Sequence, residues 1–191
     1  MENAKAELAR KALHVLIALV PTLAALDRSH TALLLMGGIL FYAWAESIRF
    51  LGFSMPLISP ITALVSRNRE EGSFALGPVT LGLGALLALI LFPPQIAAAS
   101  IYALAFGDSA AALVGRFLGR LRPPCLGGKS VEGSLAGFAA AALAAYLVFK
   151  DWRAALAMGL ASLLCDGLPL KDFDNLLLPL AAGLGAVVVL A

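Results

Sequence analysis

One carboxylate interrupts a segment that is otherwise free of charge. Asp108 follows the uncharged stretch from Phe92 to Gly107, which has the composition of a membrane-crossing helix. An ionised carboxylate in that position costs about 2.5–3.5 kcal/mol on insertion scales, so it requires a partner, water or a metal ion. Asp108 is therefore predicted to be functional, with a contact that only stabilises helix packing as the alternative.

A basic, glycine-rich loop follows Asp108. It contains Gly115, Arg116, Gly119, Arg120, Arg122 and the run Gly127-Gly128-Lys129-Ser130-Val131-Glu132-Gly133-Ser134. Backbone N–H donors, a positive helix N-terminus and a lysine charge are the groups that bind a polyphosphate. The loop thus indicates a phosphate site. Helix packing through its GxxxG spacings and binding of anionic lipid headgroups are the alternatives.

The run Gly128-Lys129-Ser130 imitates the end of a P-loop. In that motif an earlier glycine stands five positions before the second one, and here that position is Pro123. No strand is predicted before it either. The pattern therefore excludes a Walker motif.

The elements that position these residues are predicted to be membrane helices. Hydrophobic residues make up 61% of the 191 positions and charged residues 14%, and the mean hydropathy is +0.91. The apolar runs are rich in Ala and Leu without alternation, which favours helices over a barrel. We therefore expect one all-α, polytopic membrane domain over residues 1–191, with about seven spans. They lie near 11–27, 31–51, 74–92, 95–115, 133–149, 152–168 and 174–190. The segment 52–73, broken by Pro56 and Pro60, is predicted to be a loop or a re-entrant piece.

The basic residues predict the orientation. On the seven-span topology, 11 of the 14 Lys and Arg residues lie on the side of the N-terminus, and only Arg28, Lys150 and Arg153 lie on the other. The positive-inside rule then places the N-terminus in the cytoplasm. The acidic and glycine-rich features fall on the same side. The net charge of +2 gives no support for a nucleic-acid partner, and Cys125 and Cys165 are expected to be free thiols.

Taken together, these motifs resemble the polyprenol kinase family, which includes dolichol kinase, phytol kinase and the CTP-dependent diacylglycerol kinases. The resemblance rests on Asp108-Ser109-Ala110-Ala111, Gly115-Arg116, Gly119, Lys129-Ser130-Val131-Glu132-Gly133-Ser134, Arg10-Lys11 with His14, Glu46 with Arg49, Arg69-Glu70-Glu71-Gly72 before Gly77-Pro78, and Asp174-Asn175 with Pro179. It covers most of the chain. Asp166 departs from the family pattern, which would have a Glu before the final Asp-Asn pair.

The resemblance implies a kinase that transfers the γ-phosphate of CTP to a polyprenol- or dolichol-type alcohol at the cytoplasmic face of the bilayer. It implies Mg²⁺ as cofactor and the lipid alcohol and membrane lipids as further partners. The expected catalytic residues are Asp108, Lys129 and Glu132. The expected nucleotide-binding residues are Arg116, Gly128, Lys129, Ser130, Gly133, Ser134, Glu71 and Gly77. The expected metal ligands are Asp108, Asp174 and Asn175, and the candidates for general base or substrate contact are His14, Glu46 and Asp166.

Two other functions fit parts of the pattern. A cytidylyltransferase related to phosphatidate cytidylyltransferase would use a similar set of charges to form a CDP-lipid. A small transporter could use Asp108 and Glu46 as an ion or proton relay, but it gives no reason for the loop around Lys129. All three functions predict a multi-pass membrane protein, in the cell membrane of a prokaryote or the endoplasmic reticulum of a eukaryote.

Overall fold

Helices account for nearly all of the structure, a computed structural model that describes residues 4–53, 62, 73–168 and 171–190. Within these ranges the chain forms seven continuous helical segments. They are α1 (Ala4–Leu16) joined through a 3₁₀ turn (Ile17–Leu19) to α2 (Val20–Leu26), then α3 (Arg28–Phe50), α4 (Gly77–Leu91), α5 (Pro94–Tyr102) joined through a π-helical segment (Ala103–Asp108) to α6 (Ser109–Phe117), α7 (Val131–Phe149), α8 (Trp152–Asp166) and α9 (Asp174–Leu190). The predicted all-helical fold is confirmed for this part of the chain.

Four of the seven segments are long and apolar enough to cross a membrane. They are Glu7–Leu26, Arg28–Phe50, Pro94–Phe117 and Val131–Phe149. A bilayer core of about 30 Å requires roughly 20 helical residues, whereas α4 and α8 have 15 residues each and α9 has 17. Seven helices therefore form where seven spans were predicted, but only four meet the criterion for a full crossing. The predicted loop at 52–73 and the candidate Glu71 fall mostly or wholly outside the described residues.

Small side chains form the packed centre of the molecule. α5 and the π-helical segment contact α1, α2, α4, α7, α8 and α9, and Ala97, Ala99, Ala103 and Ala105 in this central stretch have no exposed surface. Small residues let neighbouring backbones approach closely, which is how helices associate in lipid. α3 lies at the edge, because it packs chiefly on α2 and α4 and exposes Phe41 and Trp44. The central position of the π-helical segment brings Asp108 into the interior.

Each turn at the start of α3 and α8 is closed by an aspartate cap. Asp27 Oδ1 accepts a hydrogen bond from the His30 backbone N–H at 2.9 Å, and this bond holds the pKa of Asp27 below its usual value. Asp151 Oδ1 accepts from the Arg153 backbone N–H at 2.8 Å. The two caps lie at the helix ends opposite to the start of α7 and the end of α8.

A proline in α9 and a glycine in α4 allow these two helices to touch. Pro179 lacks the N–H that would otherwise bond to the Asn175 carbonyl one turn earlier. That carbonyl lies against Gly84, where an added Cβ would stand 2.2 Å from the Asn175 oxygen. The start of α9, which carries Asp174 and Asn175, is therefore fixed against α4 by a backbone contact that only glycine permits.

We expect Gly84→Ala to lower the free energy of unfolding by about 3 kcal/mol, because the added methyl group clashes with rigid backbone and forces the helices apart. The measurement is the unfolding midpoint in mixed detergent micelles. Gly37→Ala is the matched control, since nothing lies within 4 Å of a Cβ at Gly37 in α3. That variant should be unchanged or slightly more stable. Equal stability of the two variants would contradict the packing described.

Candidate functional site

The partner required by Asp108 is supplied by the first helix. Asp108 ends the π-helical segment, a type of distortion that is frequent at functional sites. Its Oδ2 accepts a hydrogen bond from Lys11 Nζ and lies 2.7 Å from His14 Nδ1. Lys11 and His14 stand three residues apart on α1, so they share one helix face, and each is only 4% exposed. Two basic groups thus flank one carboxylate, whose side chain is 13% exposed.

A second ion pair extends this cluster toward the N-terminus. Arg10 donates to Glu7 across one turn of α1, and Glu7 is buried like Lys11. Charges that are removed from water are tolerated only when each has an opposite partner and hydrogen bonds. α1 therefore carries a compact charged face against the centre of the fold, although most of its other surface is apolar.

A serine side chain caps the start of α7. Ser130 is the N-cap, and its Oγ accepts a hydrogen bond from the Gly133 backbone N–H at 3.1 Å. Its side chain fills the space beside Gly115 and Gly119 of the preceding helix end, where an added Cβ would stand 3.0 and 2.3 Å from Ser130 Oγ. The spacing of these two glycines thus makes room for the cap.

Gly133 also lies at the contact between α6 and α7. A Cβ there would stand 2.6 Å from the Ala111 oxygen and 2.8 Å from Gly115 Cα, and Gly137 one turn later meets Ala111 in the same way. These are the close approaches that a GxxxG spacing provides. The structure thus supports the packing interpretation of this spacing, and a nucleotide contact by Gly133 stays a prediction.

Hydrogen bonds within the loop between α6 and α7 fix its shape. Glu132 Oε1 accepts from the backbone N–H groups of Arg120 and Leu121, each at 3.1 Å. Arg122 donates to the carbonyl oxygens of Gly128 at 2.7 Å and Gly115 at 2.5 Å. The chain turns through Gly127 and Gly128, whose φ values of 58° and 92° favour glycine. In this structure Glu132 therefore braces the loop, and its predicted catalytic role is untested.

Lys129 reaches from the start of α7 to the end of α8. Its Nζ lies 2.8 Å from Asp166 Oδ1 and 2.5 Å from the Asp166 backbone oxygen. Ser134, one turn into α7, donates to Asp166 Oδ2 at 2.9 Å. Three residues that were predicted separately, as nucleotide-binding groups and a base candidate, therefore form one hydrogen-bonded group. A positive helix start faces a negative helix end through them.

The start of α9 adjoins this group. α8, which ends at Asp166, packs against α9, which begins at Asp174, so the start of α9 lies near the end of α8. Asn175 is buried, and its Nδ2 lies 3.4 Å from the Gly77 oxygen and 3.3 Å from Thr80 Oγ1 of α4. Asp174, Asn175 and Gly77, all predicted site residues, therefore lie together where the start of α9 meets α4.

The described residues do not form a complete set of protein ligands for a metal ion. Among the residues that the structure describes, no group of three or more His, Cys, Asp and Glu side chains is arranged to hold a metal ion. Asp108 faces Lys11 and His14, whereas Asp174 Oδ1 accepts the Asn175 backbone N–H at 2.9 Å. A divalent ion would therefore need few protein ligands here and most of its ligands from phosphate and water.

Glu46 is tied to its own helix end. Its Oε2 accepts from Arg49 Nε at 2.7 Å, and its Oε1 accepts from Arg49 Nη2 at 2.6 Å and from the Ala75 backbone N–H at 2.8 Å. Arg49 also donates to the Ser73 oxygen. This ion pair, which the i, i+3 spacing of Glu46 and Arg49 on one helix predicts, joins the end of α3 to the chain that leads into α4. Glu46 has no exposed surface, which fits a structural role better than contact with substrate.

Sequence reasoning missed Lys11 as a member of the site. Lys11 entered the prediction of orientation and the family resemblance, but not the list of site residues. In the structure it donates a hydrogen bond to Asp108, which stands 97 residues later in the chain. One signal could have indicated it, because Lys11 and His14 occupy one face of an apolar helix and buried charges require partners.

Arg116 lies partly exposed at the end of α6.

Comparisons with known proteins give two partial similarities. The chain is 35% identical over 82 residues to a CTP-dependent diacylglycerol kinase 1 of Eremothecium gossypii, which covers 43% of this chain and 26% of that protein. It is 31% identical over 128 residues to an uncharacterized protein of Methanocaldococcus jannaschii, covering 66% of this chain and 64% of that one. The chain thus spans about a quarter and just under two thirds of these curated relatives. No family model and no solved structure matches it.

Proposed function

We propose that this protein is a CTP-dependent lipid kinase that transfers the γ-phosphate of CTP to the hydroxyl of a membrane-embedded alcohol. The observation that carries the proposal is the hydrogen-bonded group of Lys129, Ser134 and Asp166 at the start of α7. The partial identity to a protein named as a CTP-dependent diacylglycerol kinase supports the same reaction class. Donor, acceptor and the cytoplasmic position of the site are parts of the proposal.

Phosphoryl transfer requires positioning and neutralisation of charge more than covalent chemistry. The start of α7 supplies a positive dipole end and Lys129 a point charge, while Arg116 adds a second cation at the end of α6. Ser130 keeps the helix start in shape through its cap, and Ser134 is held toward Asp166. These groups would bind the phosphates and leave the γ-phosphate directed toward the lipid.

Mg²⁺ fits this set of donor atoms, because it does not require that all its ligands come from the protein. Mg²⁺ in nucleotide sites is usually bound by one or two carboxylates, with phosphate and water completing its shell. Asp108, Asp174 and Asn175 would supply the carboxylate and amide oxygens. When bound, the ion would neutralise charge on the transferred phosphate. Its residues were predicted from the resemblance, and this role for them stays a proposal.

The apolar helices of the protein support the proposal that the phosphate acceptor is a lipid. A long-chain alcohol lies in the leaflet with its hydroxyl near the headgroups, and Lys129, Ser134 and Asp166 lie at the start of α7 and the end of α8 rather than at helix centres. Four apolar helices long enough to span a bilayer hold the protein beside such a substrate. We propose a polyprenol- or dolichol-type alcohol, and diacylglycerol is the comparison substrate that the Eremothecium gossypii similarity suggests.

The test is transfer of label from γ-labelled CTP or ATP by purified protein in lipid. Polyprenol, phytol, geranylgeraniol and diacylglycerol serve as acceptors, and the products are separated to identify CDP and phosphorylated lipid. Label on polyprenol from CTP alone supports the proposal in full. Label only on diacylglycerol would correct the acceptor, and release of pyrophosphate would indicate a cytidylyltransferase instead. No transfer to any of these lipids would contradict the kinase.

A further inference from the structure

Both carboxylate oxygens and the backbone oxygen of Asp166 accept hydrogen bonds from the start of α7. Lys129 Nζ donates to Oδ1 and to the backbone oxygen, and Ser134 Oγ donates to Oδ2. The charge on Lys129 is therefore already neutralised by Asp166. A polyphosphate that is to use the same ammonium group must compete with this carboxylate.

The two partners differ in exposure. The Lys129 side chain is 37% exposed, whereas that of Asp166 is 15% exposed. An incoming anion can therefore approach the ammonium group from solvent while the carboxylate stays in place. Partly exposed ion pairs are weak, and a nucleoside triphosphate carries several negative charges in place of one. Exchange of Lys129 from Asp166 to phosphate is thus electrostatically favourable.

We infer that Asp166 is a positioning residue that holds Lys129 at the start of α7 until the phosphates of the nucleotide displace it. The inference rests on the proposed function, since it takes a polyphosphate as the ligand of Lys129. It gives Asp166 a role that differs from general base or metal ligand. Ser134 keeps the Asp166 carboxylate oriented throughout, because its hydroxyl bonds to the oxygen that Lys129 does not use.

The direction in which the Kd for nucleotide changes distinguishes this role of Asp166 from metal binding or support of the fold. Asp166→Asn removes the competing charge but keeps the shape, so CTP should bind more tightly. We expect the Kd for Mg·CTP, measured by calorimetry without lipid acceptor, to fall about fivefold, the change that corresponds to loss of one partly exposed ion pair worth roughly 1 kcal/mol. A residue that bound the metal or only supported the fold would give a raised or unchanged Kd.

Two further variants separate exchange from general electrostatics. Asp166→Glu keeps the charge and should leave the Kd within about twofold of the wild type, an interval below the expected effect. In a Lys129→Ala background, Asp166→Asn should no longer tighten binding, because the competed group is gone. Equal tightening in both backgrounds, or a Kd that does not fall in the first, would overturn the inference. Thermal unfolding of each variant confirms that it is folded.

Inorganic triphosphate provides a second probe, since the exchange concerns phosphate oxygens and not the base. It should show the same fall in Kd for Asp166→Asn. The label-transfer assay tests the kinase separately. A wild-type protein that binds triphosphate with the expected dependence on Asp166 but phosphorylates no lipid would contradict the proposed function alone. An active kinase whose Asp166→Asn variant binds CTP more weakly would contradict the exchange alone.

Discussion

Asp108→Asn is expected to reduce phosphate transfer by about 10³-fold or more, because it removes a proposed carboxylate ligand of the Mg²⁺ ion that would neutralise charge on the transferred phosphate. The substitution keeps the shape of the side chain but removes the charge that faces Lys11 and His14. The measurement is the rate of label transfer from CTP by the purified variant. Transfer near the wild-type rate would remove Asp108 from the site.

The structure adds a control that the sequence alone did not suggest. Asp108→Asn leaves the buried Lys11 without its carboxylate, and an unpaired buried charge costs about 3–5 kcal/mol. Loss of activity could then follow from loss of fold. The double variant Lys11→Met with Asp108→Asn removes both charges and should recover most of the stability while staying inactive. Recovery of activity along with stability would mean that Asp108 only neutralises Lys11.

The helices could be predicted from the sequence because their cause is local. Apolar runs bounded by charges and prolines place the last helix at 174–190, and the structure has it at Asp174–Leu190. The Glu46–Arg49 pair has a local cause of the same kind, since residues three apart meet on one helix face. Helix length was also visible in the sequence. α4, α8 and α9 have 15 to 17 residues, fewer than the roughly 20 that a bilayer core requires.

The partners within the site could not be predicted, because they depend on which helices pack together. Nothing in the chain between Lys11 and Asp108 indicates that α1 lies against the π-helical segment. Likewise, Lys129 and Asp166 meet only because α7 and α8 pack side by side. The sequence identified these residues as polar groups in an apolar chain. It assigned Lys129 directly to phosphate, whereas the structure shows the lysine paired with a carboxylate first.

Lys129→Ala is expected to lower transfer by about 10²- to 10³-fold, the loss typical of one charged contact to a transferred phosphate, and to raise the Kd for nucleotide. The fold should tolerate the change, because the Lys129–Asp166 pair is partly exposed and such pairs add little stability. Ser134 still donates to Asp166 in the variant. Rates of label transfer and nucleotide titrations measure the two effects.

The matched control for Lys129→Ala is Lys150→Ala at the opposite end of the same helix. Both residues flank α7, and the Lys150 ammonium group lies 5.9 Å from the centre of the Tyr146 ring. The two variants remove the same charge from the same helix but from opposite ends. If transfer depends on a phosphate site at the start of α7, Lys150→Ala should keep wild-type transfer while Lys129→Ala loses it. Equal losses would show that the net charge of the protein, and not the position of Lys129, determines the rate.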